Sequence, residues 1–156
     1  MGRIDANKKR PGMSNISANL AQAAMDKVST NPATVFTENV VKINDNMNEL
    51  EYQMLQGILG VENGFTNPAY NLSYKDYKKW LQEMVDHSKS INLPEGWVPY
   101  TTYILYIDEV PVGCGRVRHS SSEYLETVIG AGNLGYGISK VHRGKGYGNI
   151  LFKELL

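Results

Sequence analysis

The chain has 156 residues with 16 basic and 16 acidic side chains, so no overall field draws it to nucleic acid or to an acidic membrane, and any anion site must be local. A hydrophobic fraction of 42%, including ten tyrosines, is enough for the core of one globular domain. One cysteine excludes an internal disulfide and a cysteine-based zinc site. With no signal-like apolar run in residues 1–20 and no stretch near the roughly 20 apolar residues of a membrane span, the expected location is the cytoplasm.

Residues 1–38 are rich in Asn, Ala, Ser and Lys, with apolar positions too sparse to cover a core. Only "SANLAQAAMDKV" carries a weak helical stripe, Leu20, Ala24 and Val28, and the segment reads as a tail or a loosely docked helix. The domain proper is expected over 39–156. A strand is predicted over "VVKI" (Val40 to Ile43). A helix then follows, capped by Asn46, with Met47, Leu50, Met54 and Ile58 at helical spacing, ended by Gly60 and "ENG". The second helix starts at Ser73, whose hydroxyl can accept first-turn amides, with Asp76 three residues on. Its buried stripe is Tyr77, Trp80 or Leu81, Met84 and Val85, leaving Lys75, Lys78, Lys79 and Glu83 to water.

After the turn residues "LPEGWVP" the pattern becomes that of strands. "TTYILYI", a turn at "DE", and "VPVGCGRVRH" predict an antiparallel hairpin. On its second strand Val112, Cys114, Arg116 and Arg118 share one face, and Gly113, Gly115, Val117 and His119 the other. A polar loop with a short helix, "SSSEYLETVIGAG", leads to a third strand, "NLGYGIS". There Leu134, Tyr136 and Ile138 share a face while Gly135, Gly137 and Ser139 leave the other nearly bare, an expense in strand stability that implies close approach of something to that backbone.

The next stretch, "HRGKGYGNILFKELL", puts an arginine, a lysine and three glycines before a helix. It is not a P-loop, since Ser139 stands where the first glycine belongs and Gly146 where the hydroxyl belongs. Nor is it the dinucleotide fingerprint, since Gly144, Gly146 and Gly148 are spaced two and two. What remains is a strand, a basic turn and a helix start, where amides without intrahelical partners and a partial positive charge accept phosphate oxygens. Arg143 and Lys145 can add charge-assisted bonds. The plainer alternative is two solvated charges before a helix.

"RGKGYG" after "GYGISKVH" resembles the acetyl-coenzyme A binding motif of the GNAT family of N-acetyltransferases, with Arg143, Gly146 and Gly148 at the motif positions. The longer run "LPEGWVPYTTYILYIDEVPVGCGRVRH" with "GNLGYGI" is similar to a bacterial branch of predicted members, and the resemblance covers about 40–156. It implies a GNAT-like α/β (mixed α+β) fold, a mostly antiparallel sheet flanked by helices. It also implies acetyl transfer from acetyl-CoA to a primary amine of a small molecule or peptide. By the same resemblance the pantetheine arm runs along the strand ending near Ile138 and Ser139, and the diphosphate rests on the turn of Arg143, Gly144, Lys145, Gly146, Tyr147 and Gly148.

Family members continue with a strand, a helix and a final strand pair, which supply the far cofactor wall and usually the tyrosine that protonates the thiolate. On that pattern the domain is C-terminally truncated. The expected outcomes are a fragment of a longer product, a homodimer through the exposed edge of the third strand, or residues 1–38 folded over that edge. The second functional reading is a catalytically silent fragment or interaction module that retains at most coenzyme A binding.

Acetyl transfer needs a neutral amine, a polarised thioester carbonyl and a proton for sulfur. A backbone amide near Ile138 suits the second. His119, at the end of a strand beside the expected cleft, is the first candidate for the base, because imidazole exchanges protons near neutral pH; its plainer role is a bond to loop backbone. Glu123 can act through a water or be a solvated loop carboxylate. Tyr136 is a substrate wall, a proton donor or, by its alternation with Leu134 and Ile138, core. Trp80 and Trp97 belong to packing, and Cys114 is a small buried hydrophobe whose parity puts it opposite His119. The three histidines have no metal-like spacing.

Overall fold

The computed structural model describes residues 35–120 and 133–156. The helix expected within residues 17–28 and the short helix of the polar loop lie outside them, as does Glu123. In chain order the elements are β1 (Glu38–Lys42), α1 (Glu49–Leu55), β2 (Val61–Glu62), β3 (Phe65–Thr66), α2 (Tyr74–Ser88), β4 (Tyr100–Ile107), β5 (Val110–Arg118), β6 (Leu134–Ile138), a 3₁₀ turn (Lys140–His142) and α3 (Tyr147–Leu155). The architecture is mixed α+β: a four-stranded sheet of order β1-β4-β5-β6 and a separate two-stranded sheet, β2-β3. None of the described helices is long and apolar enough to cross a membrane.

The described residues group into two compact units, 35–41 with 105–112, and 42–104 with 113–156. In the first, Asp108 and Glu109 both take positive φ (50° and 69°), the mirror-image two-residue turn whose twist suits a hairpin. The Asp108 carboxylate accepts the Thr37 amide at 2.9 Å, and the Asp108 amide donates to the Thr37 carbonyl at 2.8 Å. Leu105, Ile107 and Val112 are fully buried.

In the second unit α2 forms as its sequence predicts. The Ser73 hydroxyl accepts the Asp76 amide at 3.1 Å, a cap worth about 1 kcal/mol, and Tyr77, Trp80, Leu81 and Met84 are buried. His87 continues the stripe, its Nδ1 2.6 Å from the Tyr100 hydroxyl, while Val85 is half-buried. Lys78 is not a water-facing charge, because its ammonium donates to the carbonyls of Asp45 and Met47.

The first helix differs from its expected form. Its cap is Asn48, not Asn46: Glu51 reaches back to accept the Asn48 amide at 3.0 Å, whereas the Asn46 amide is held in a local turn by the Asn44 side chain. The helix is therefore short. Met47 and Ile58 are buried but lie outside it, and Leu50 is 64% exposed. The "ENG" that follows is more than a helix stop. Asn63 (φ 51°) and Gly64 (φ 82°) make a hairpin turn between β2 and β3.

β5 and β6 are antiparallel, with Gly113 opposite Ile138, Gly115 opposite Tyr136 and Arg116 opposite Gly135. Each carries a glycine face, and the two are filled from opposite sides. A Cβ on Gly113 would meet Leu151 of α3, and one on Gly115 would meet Leu155; a Cβ on Gly137 would fall 3.2 Å from Ile58 and 3.3 Å from Phe65, and one on Gly135 3.2 Å from Phe65. The close approach implied by the bare strand face is thus that of two core side chains.

Candidate functional site

The β6 end of the sheet and the start of α3 form a groove. The Arg118 amide donates to the Asn133 carbonyl at 2.8 Å, and pairing alternates along an antiparallel ladder. Gly135 and Gly137 therefore turn their backbone groups toward β5, and Leu134, Tyr136 and Ile138 turn theirs to the outer edge, where no further strand follows among the described residues. A cavity of about 450 Å³ runs along this strand and is lined by all of β6, by residues 62–65 of the β2-β3 hairpin, and by His142, Arg143, Gly144, Gly146, Tyr147 and Gly148.

The basic turn is built by two glycines. Gly144 and Gly146 have φ of 80° and 83°, which side-chain-bearing residues adopt only at a cost, and a Cβ on either would meet nothing within 4 Å. Packing does not require glycine at either position. Gly146 is the N-cap of α3 and no side chain caps that helix start. Gly148 sits in the first turn, where a Cβ would fall 3.6 Å from the Tyr136 ring.

Arg143 is engaged twice. Its Nε donates to the outward carbonyl of Ile138 at 2.8 Å, and its terminal nitrogen pairs with the Glu62 carboxylate at 2.7 Å. The hydrogen bond from Arg143, and then that from the Leu59 amide, hold the Glu62 carboxyl below its ordinary range. His142 lines the same cavity; burial, reinforced by the charge of Lys145, lowers its pKa, so its imidazole is neutral at neutral pH.

Of the residues expected to hold the cofactor, Ile138, Arg143, Gly144, Gly146, Tyr147 and Gly148 come together around the cavity. Lys145 is exposed beside the turn without lining it. Ser139 does not face the groove: it is 2% exposed and packed under Gly57, where any side chain would collide with its hydroxyl.

His119 is placed differently from expectation. It ends β5, but its Nε2 lies 2.7 Å from the Thr101 hydroxyl and its amide donates to the Pro99 carbonyl. It is not among the residues that line the cavity. It stands six positions along the chain from Gly113, the partner of Ile138, roughly 20 Å of strand, and two positions from Val117, the partner of Leu134. Tyr136 packs at 5.8 Å against Phe152, and burial raises the Cys114 thiol to about 11. Glu62 and Phe65 come from the loop "ENGFTNPAYN", which the resemblance assigns to the acceptor pocket, without either side chain being singled out; His142 is a lining residue that sequence reasoning missed. Among the described residues no group of three His, Cys, Asp or Glu is placed to hold a metal ion. No protein-family model matches the chain, and neither does any curated protein or solved structure.

Proposed function

We propose that the chain binds acetyl-coenzyme A in this groove and transfers its acetyl group to a primary amine. One observation carries the reading: two left-handed glycines with open space around them hold the turn before a nine-residue helix, at the end of a cavity that follows a strand edge. Amides there suit a diphosphate. The outward groups of Tyr136 and Leu134 suit the amides of a pantetheine arm. Leu134 and Ile138 are roughly 14 Å apart along the strand, so an arm extending from the turn brings the thioester toward Leu134, and an outward amide there, rather than one near Ile138, polarises its carbonyl.

The amine lone pair attacks the thioester carbon, a C–N bond forms, and the C–S bond breaks with its electron pair on sulfur. The ammonium formed loses a proton to solvent, and the thiolate takes one up, leaving an amide and the free thiol. A phosphate arriving at the turn competes with Glu62 for Arg143 and exchanges one anion for another on the same guanidinium.

The second reading, coenzyme A binding without catalysis, is favoured by the proton acceptors. His119 is bonded to Thr101 and is not among the cavity-lining residues, the Glu62 carboxyl, held low by Arg143, is a weak base, and the neutral His142 imidazole follows the Ile138 end of β6, opposite to Leu134. Calorimetry with acetyl-CoA, alongside assay of thiol release with added amines, separates the readings. Binding is expected for the native chain and a loss of tenfold or more for Arg143→Glu and Gly146→Val. No heat of binding from well-folded protein sinks both readings; binding without amine-dependent thiol release leaves the second.

A further inference from the structure

The basic turn already holds an anion, and the chain itself supplies it. Arg143 is fixed to β6 by its Nε, which donates to the Ile138 carbonyl at 2.8 Å, and a terminal nitrogen of the same guanidinium lies 2.7 Å from one Glu62 carboxylate oxygen. The other Glu62 oxygen accepts the Leu59 amide at 3.1 Å. Glu62 belongs to a hairpin whose two strands are held differently. β3 is anchored, because the buried Phe65 ring fills the space beside Gly135 and Gly137 and the Thr66 carbonyl accepts a bond from Arg116 at 3.0 Å. β2 is tied to the basic turn by Glu62, and Val61 before it is 72% exposed.

A part-exposed ion pair contributes little to folding. This one nevertheless closes across the cavity that residues 62–65 and the turn both line, on the guanidinium that a phosphate would use. With 38% of the Arg143 side chain and 18% of the Glu62 side chain exposed, an incoming anion can reach the pair and exchange with it.

We infer that the β2-β3 hairpin is a strap latched over the groove by Glu62, which occupies the phosphate seat of Arg143 in the free chain, and that a ligand phosphate opens the strap by displacing it. The identity of the ligand rests on the coenzyme A reading; the latch needs only a phosphate-bearing anion. Because the guanidinium is also bonded to Ile138, the hairpin yields rather than the arginine. The fraction of molecules with the seat free sets the apparent affinity, so a pair of ordinary part-exposed strength weakens binding about twofold to fivefold.

Calorimetry with acetyl-CoA compares the native chain with Glu62→Gln and Glu62→Asp. Aspartate keeps the charge but shortens the arm by one methylene, so both variants are expected to bind about twofold to fivefold more tightly. Any other pattern overturns the latch while coenzyme A binding stands, tightening in Glu62→Gln alone because it marks a general effect of charge. Movement is read from a bimane label on Val61→Cys, Cys114 being buried. Acetyl-CoA should shift its emission, and Glu62→Asp should produce most of that shift without ligand; no shift overturns the strap. If acetyl-CoA binds none of the proteins, the coenzyme A reading fails, and the same comparison with inorganic pyrophosphate decides the latch by itself: tighter binding to both variants supports it, and any other result overturns it. Thermal melts check that each variant folds, and Glu62→Ala replaces Glu62→Gln if the latter does not.

Discussion

The glycines of the strands and the glycines of the basic turn are the same residue used for opposite ends. Around Gly113, Gly115, Gly135 and Gly137 the space of a side chain is already taken by Ile138, Leu155, Phe65 and Ile58. Around Gly144 and Gly146 it is empty, and the backbone itself requires the residue. Glycine enrichment in a sequence therefore mixes two signals, tight packing and open left-handed turn, and only the second leaves room for a ligand.

Substitution separates the two. Gly113→Val is expected to have the largest effect, because its Cβ would fall 2.6 Å from Ile138 and 2.9 Å from the Gly137 carbonyl oxygen, which is backbone and cannot turn aside. A loss of about 3 kcal/mol in denaturant unfolding is expected, with coenzyme A affinity of the folded fraction retained; a loss under ~1 kcal/mol would break the distinction. Gly146→Val is expected to cost only about 1–2 kcal/mol, the strain of a left-handed residue, yet to lose the ligand. Equal losses of stability at the two positions would mean that the turn is packed after all.

Cys114 reports on the packed region from inside, since it lies between two of its glycines. With its thiol raised to about 11, only about one molecule in a thousand is thiolate at pH 8. Labelling by a thiol reagent should follow global unfolding, and rapid labelling of native protein would contradict the packing. The smallest effect is expected on the open side. Glu62 has its carboxyl pKa lowered by Arg143, so the contribution of this ion pair is complete above the ordinary glutamate range and disappears as pH falls through the lowered value. Thermal melts of Glu62→Gln should therefore show less acid sensitivity between pH 5 and pH 3, roughly the window set by an ordinary glutamate at its upper end. An unchanged pH profile would remove Glu62 as the partner that matters.

Much of the fold was legible because it repeats. β4 and β5 are long enough for their alternation to show, and Ser73 followed by a stripe of aromatics announces α2. The turn of Gly144 and Gly146 could be read as an open helix start from residue types alone. β2 and β3 could not be found by period, because a two-residue strand has none; only the Asn63-Gly64 pair marked them. Asn48 displaced Asn46 as a cap because Glu51 stands at the right distance to reach back. Phe65, one of the two side chains on the β6 glycine face, and Glu62, the partner of Arg143, both come from that hairpin. Proximity across distant segments is set by tertiary packing, and so the residue types marked the turn of Arg143 to Gly148 but not the contact of Glu62 with Arg143.

The bond from Arg143 to the Ile138 carbonyl has a bearing on solubility. A strand with an uncovered flank is a template on which another chain can add, and native proteins blunt such templates with charge. Here the terminal rung is stoppered by a guanidinium that is itself neutralised by Glu62, so a recruited strand must first evict it. Arg143→Ala should accelerate fibril growth on agitation, as read by thioflavin fluorescence, and an unaltered lag time would show that the stopper has no protective effect.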